Sequence, residues 1–332
     1  MATQKRYNYC IDFIKGIACI FVVFLHCEFP GTLGIAVQAI SRYCVPFFFM
    51  VSGYYCYKST PPISLENRLN KVKHILTITI YSSLFYILFA LLQYWIWGDI
   101  SLSISKKDLF AFVLFNQMKV IVSQMWFLYA LLYVYIVFLW IGGKEWFKRY
   151  SLLITTVCLT LYVILAQGLH LAGISVPNFI YKNWLIEGIG FFSLGFVLHQ
   201  RPKNNVSNSV LLIVFFSFTL LSLLERYLLG RDFGVNICSI PQVIALFLYG
   251  INNPNKHKGV LQKLGKTCSM FIYILHPFVW HSLERIYGAM QIYKNELAMY
   301  MMPILVLGIT IILSIACYKV QSKVFNHSAQ AC

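Results

Sequence analysis

The sequence predicts an all-α fold: a polytopic transmembrane bundle of about ten spanning helices with both termini cytoplasmic. Three observations predict it. Of 332 residues, 59% are hydrophobic and only 11% charged, where soluble domains carry about 25% charged residues. Mean hydropathy is +0.69, so the solvent for most of this chain is lipid. Apolar runs long enough to cross about 30 Å of hydrocarbon recur from end to end. Finally, Lys and Arg divide unevenly between the two sides of the resulting topology: seventeen on the side of the N-terminus against eight on the other, with Lys15 and Arg42 inside spans. Cytoplasmic loops carry such an excess.

The runs fall at roughly 9–27, 35–57, 74–97, 124–141, 150–167, 184–200, 209–229, 235–251, 268–285 and 297–319. The first holds charges and lacks an A-x-A-type cleavage site, so it is expected to remain as a helix. The second ends in VPFFFMVSGYY, where Pro46 and Gly53 can loosen the backbone and leave polar groups for a ligand. The third follows a basic flank, Arg68 to His74, in which residues 68 and 71 share a helix face. The fourth opens on Gln124 and Trp126, and the fifth follows Lys144, Lys148 and Arg149. Glu187 lies in the sixth, Glu225 in the seventh, and His276 before the helix-perturbing Pro277 in the ninth. Segment 107–123 is short and amphipathic, which suits an interfacial or re-entrant position. No repeat, long linker or low-complexity tract divides residues 1–332, which are expected to form a single membrane domain.

Composition also narrows function. A net charge of +16 would suggest nucleic acid in a soluble protein; here it marks cytoplasmic loops, and no basic helix with interleaved aromatics appears. No nucleic-acid partner is expected. Ten cysteines are scattered without a CxxC or a Cys/His cluster of zinc spacing. Neither a disulfide framework nor a metal site is expected.

Charge inside a span costs at least about 2.5 kcal/mol on insertion scales, so such groups tend to face the bundle interior and work there. The first helix holds Asp12, Lys15 and His26. Positions 12, 15, 19, 22 and 26 alternate steps of three and four, which puts them on one stripe. Lys15 and His26 lie within about 20° of one direction and about 16 Å apart along the axis. The second helix should bring Arg42 to a depth similar to His26, and Ser52 to about that of Lys15. Each residue also has a structural reading. A lone intramembrane histidine often packs, a lysine near a helix start can snorkel, and Asp12 can pair with Lys15 for structure alone. Run 68–74 can serve as a positive-inside flank and Trp126 as a belt anchor. The alignment of Lys15, His26 and Arg42 in adjacent helices favours a site.

These segments resemble the acyltransferase 3 family of integral membrane acyltransferases. Lys15-x10-His26, within YCIDFIKGIACIFVVFLH, is similar to the family's basic-x10-His motif. RYCVPFFFMVSGYY (42–55) resembles its second-helix signature, and RLNK (68–71) its R-x-x-R motif. MWFLYALL (125–132), GFFSLGFVL (190–198) and SMFIYILHPFV (269–279) resemble weaker downstream motifs. The likeness runs in order along nearly the whole chain. Lys15 and Lys71 stand where arginine is commoner, keeping the charge but losing the bidentate fork. Size and the lack of a fused domain look like the free-standing members.

The resemblance implies transfer of an acyl group, usually acetyl, from cytoplasmic acyl-CoA to a hydroxyl of an extracytoplasmic glycan or lipid-linked sugar, in the inner or plasma membrane. On that reading acetyl-CoA is the donor substrate and no metal takes part. Arg68 and Lys71, with Lys15 next inward and Ser52 nearby, suit the donor's phosphates and arm. The spacing from Lys15 to His26 is comparable with the reach of a pantetheine arm. His26 then acts as general base or takes the acyl group itself, and Arg42 stabilises the oxyanion. Asp12 is expected to hold Lys15. Trp126 and His276 are candidates for the acceptor path. The competing reading is a transporter or exporter of a small molecule or polysaccharide. It predicts an internal repeat of discontinuous helices, and no repeat is found.

Overall fold

Each of the ten apolar runs folds as helix, because in lipid a spanning segment must satisfy its backbone within itself. The structure, a computed structural model, describes residues 7–58, 62–98, 105–117, 123–200 and 206–330, with side chains to 323. Part of the segment expected at an interface (118–122), and Lys5, Arg6, Lys119, Arg201 and Lys203 of the charge count, lie outside those residues.

The helices in chain order are α1 (Tyr9–His26), α2 (Gly31–Ile40), α3 (Cys44–Tyr54), α4 (Leu65–Trp97), α5 (Lys106–Phe115), α6 (Trp126–Ile141) and α7 (Glu145–Val163). After them come α8 (Leu169–Leu171), α9 (Ile189–Gln200), α10 (Asn208–Leu229), α11 (Ser239–Asn252), α12 (Val260–Thr267), α13 (Ser269–Ala289) and α14 (Glu296–Gln330). No strand occurs among the described residues. Among the described residues, seven segments are long and apolar enough to cross a membrane: Tyr9–His26, Gly31–Tyr54, Leu65–Trp97, Ser123–Ile141, Glu145–Leu171, Asn208–Leu229 and Glu296–Lys323. The other three runs fold as α9, preceded by a π-turn at Trp184–Gly188; as α11, of 14 residues; and as α13, whose second half carries His281, Glu284 and Arg285.

One expectation needs correction. Run 35–57 is not one continuous helix. It breaks at Ser41–Tyr43 between α2 and α3. Pro46 sits in the first turn of α3, where its missing N–H costs nothing. Arg42 therefore lies in a turn.

Contacts divide the chain into two compact units. The first comprises Met1–Cys44, Asn205–Asp232 and Asn236–Cys332. Its hub is α1, which packs on α2, α11, α12, α13 and α14. The tightest of these contacts is with α12, where Gly16 faces the Leu261 carbonyl and Gly265 faces the Asp12 carbonyl so closely that a Cβ on either glycine would overlap backbone. Small residues let helix backbones approach in this way.

The second unit comprises Val45–Asn204 and Phe233–Val235. Here α7 packs on α9 and α4 on α6. Gly53 of α3 abuts the Phe192 carbonyl, and Gly195 of α9 abuts the Met50 carbonyl. The SG of VPFFFMVSGYY and the second glycine of GFFSLGFVL are thus fixed by one close helix crossing.

Candidate active site

In the first unit, α1 carries a polar stripe with a charged end and an imidazole end. At the charged end Lys15 Nζ lies 3.0 Å from Asp12 Oδ1. The Tyr7 hydroxyl donates to the other Asp12 oxygen. Gln262 of α12 donates to the Tyr7 hydroxyl at 3.3 Å. Two more lysines join: Lys266 Nζ is 4.7 Å from the centre of the Tyr7 ring, and Lys258 Nζ is 4.5 Å from that of Tyr9. Three cations and one carboxylate therefore gather where α1 meets α12. Cation–π contact lets the tyrosine faces share the positive charge.

At the other end, the rings of His26 and His276 stack with centroids 5.3 Å apart and planes at 23°. His276, on α13, is fully buried. Its Nδ1 lies 3.0 Å from the Ile272 carbonyl oxygen. A carbonyl only accepts, so Nδ1 carries the hydrogen, and in the neutral ring Nε2 is left as a lone-pair acceptor. That Nε2 is buried without a hydrogen-bond partner among the described residues.

Arg42, also in the first unit, is 8% exposed and ion-paired through Nη2 with Asp232. The sequence reading missed Asp232, which sits 190 positions away in the chain. Glu225 likewise has a local task. Its two carboxylate oxygens accept from the Ile237 and Cys238 amides at 2.7 and 2.9 Å, just ahead of α11, where a helix N-terminus favours negative charge.

The remaining candidates belong to the second unit. Ser52 Oγ donates to the Phe48 carbonyl at 3.0 Å, a bond within α3. Arg68, in the first turn of α4, donates from Nη1 to the Leu139 carbonyl in the last turn of α6. There a cation also suits the negative helix end. Lys71 Nζ stands 5.8 Å from the Tyr135 ring centre. Trp126 is buried, with Lys182 Nζ 4.8 Å from its ring centre. It starts α6 inside the protein and is not a lipid-facing belt residue. Glu187 is buried within the π-turn before α9, a kind of irregularity frequent at functional sites.

A cavity of about 400 Å³ opens beside α1 in the first unit. Its walls include Phe13, Ile17, Phe21, Phe215 and Leu246. It lies on a different face from the Lys15–His26 stripe, and its lining holds no Lys, Arg, Asp or Glu. Among the described residues no group of three His, Cys, Asp or Glu side chains could hold a metal ion.

A multi-span helical bundle with basic groups at one end of a half-buried stripe and paired imidazoles at the other defines an integral membrane protein built for chemistry inside its helices. The family model described as an acyltransferase domain, acyltransferase 3, matches residues 8–319. The chain belongs to that family, and it is a membrane acyltransferase. No curated protein and no solved structure matches it.

Proposed function

We propose that the protein is an O-acetyltransferase of the cell envelope, moving an acetyl group from cytoplasmic acetyl-CoA to a hydroxyl of an extracytoplasmic or lipid-linked glycan. The observation that supports this most is the stacked His26–His276 pair closing a stripe whose opposite end gathers Lys15, Lys258 and Lys266. A CoA ester is a polyanion joined by a long neutral arm to a thioester, and the stripe has matching ends. The lysines bind phosphate, and about 16 Å along the axis a neutral imidazole meets the thioester carbonyl.

In this reading His26 attacks the thioester carbon. The C–N bond forms, the C–S bond breaks, and the thiol leaves with the proton that His26 gives up. The acyl group then rides on His26 until a sugar hydroxyl takes it. Arg42, steadied by Asp232, has further N–H donors for the oxyanion. Arg68, Lys71 and Ser52 are proposed donor-binding residues on the strength of the family motifs alone. Trp126 is proposed on the acceptor side on the same footing. The inner or plasma membrane is the location this chemistry requires.

The test is CoA release from acetyl-CoA by the purified protein in lipid nanodiscs, wild type against His26→Ala. Loss of at least about 100-fold in the variant is expected. Undiminished release by a variant that melts as wild type does would remove His26 from the reaction.

A further inference from the structure

We propose that His276 is a second catalytic residue, the proton acceptor for the attacking hydroxyl; this rests on the reading of His26 as the acyl carrier. Once a His26 nitrogen bears the acyl group, the ring's other nitrogen is left too weakly basic to take a hydroxyl proton efficiently. The second half of the transfer needs another base in the same place, because a neutral alcohol is a poor nucleophile.

Among the described residues, the imidazole stacked on His26 at 5.3 Å has the properties required. The Ile272 carbonyl holds its Nδ1–H, which fixes the tautomer and leaves Nε2 as an acceptor. Leaving such an acceptor buried and unsatisfied is destabilising. His276 nevertheless has Nε2 buried without a partner. A histidine kept only for packing has no need of that unsatisfied lone pair; an apolar ring in its place would avoid the penalty.

The sugar oxygen bonds to the acyl carbon while its proton passes to His276 Nε2. The C–N bond to His26 breaks, the electron pair stays on the His26 nitrogen, and the proton returns from His276 to that ring. The product is the O-acyl sugar, and both imidazoles end neutral.

The experiment compares wild type, His26→Ala and His276→Asn. An asparagine amide can replace the Nδ1–H that bonds Ile272 but has no atom at the Nε2 position, so it separates the structural task from the chemical one. Membranes holding each overproduced variant are incubated with acetyl-CoA labelled in the acetyl group, and label in extracted glycan and lipid is counted. In parallel, CoA release in the first turnover is followed with the purified proteins. His276→Asn should transfer label at least about 100-fold more slowly, while releasing one equivalent of CoA in a burst that His26→Ala lacks. Transfer at the wild-type rate by His276→Asn overturns the proposal. So does loss of its burst in a variant that melts as wild type does, since the base would then act before acylation. Wild-type protein that releases no CoA would instead sink the acyl-carrier reading beneath it.

Discussion

The α1–α12 crossing makes a sharp prediction. In Gly265→Ala, the new Cβ would sit 2.5 Å from the Gly16 nitrogen and 3.0 Å from the Asp12 carbonyl carbon, where ordinary contact begins at 3.4 Å. Both neighbours are backbone, so no side chain can swing aside. The helices must part by on the order of 1 Å, and overpacking of this kind costs about 1–3 kcal/mol. Parting also stretches the 3.3 Å bond from Gln262 to Tyr7 beyond hydrogen-bond range, for about 1 kcal/mol more. A total near 2–4 kcal/mol should lower the melting temperature in detergent by about 3–6 °C. Gly308→Ala in α14 is the matched control. Nothing lies within 4 Å of its Cβ position, so the change should be neutral or stabilise by up to about 1 kcal/mol. Equal melting temperatures for Gly265→Ala and wild type would refute the idea that backbone approach holds α1 in place.

Other expectations concern the charges. Lys15→Ala should raise KM for acetyl-CoA about tenfold with a smaller change in kcat, because it removes about 1.5 kcal/mol of charge-assisted phosphate binding; an unchanged KM would end its assigned role. Asp232→Asn should destabilise the protein by about 1 kcal/mol, the low end for a charge losing its partner, since Asp232 is 35% exposed. Arg42→Met combined with Asp232→Asn should recover part of that loss in thermal unfolding, and no recovery would mean the two side chains are not coupled.

The sequence made the helices legible and the partners mostly not. Local hydropathy is sufficient to place the apolar runs, because each spanning segment closes its own hydrogen bonds. It did not show the break at Ser41–Tyr43, since the residues on both sides are equally apolar; Pro46, suited to a first helical turn, was the available signal. Asp12 and Lys15 meet within one helix turn, so spacing alone brings them together. Asp232 meets Arg42 from the far side of the chain, and no periodicity encodes that. A counting argument comes closer: a buried arginine needs a counter-ion, and the whole chain offers only 11 acidic residues. The His26–His276 stacking was hidden for the same reason, although both histidines stood out singly as polar groups in apolar runs. The two tyrosines that carry Lys258 and Lys266 were lost among the 22 of the chain.

The packing of α1 on α12 also sets an order of assembly. The ribosome makes Tyr9–His26 first and Val260–Thr267 more than two hundred residues later, an interval of roughly 12–50 s at about 5–20 residues per second. Through that interval the first helix must wait in the membrane without the helix that later clasps it. The Asp12–Lys15 pair is formed within α1 itself, so the helix enters lipid already neutralised at its charged end. A nascent chain stalled before residue 260 should therefore keep α1 inserted yet leave it open to membrane quality control, and Asp12→Asn, which leaves Lys15 alone in that helix, should be the variant degraded soonest.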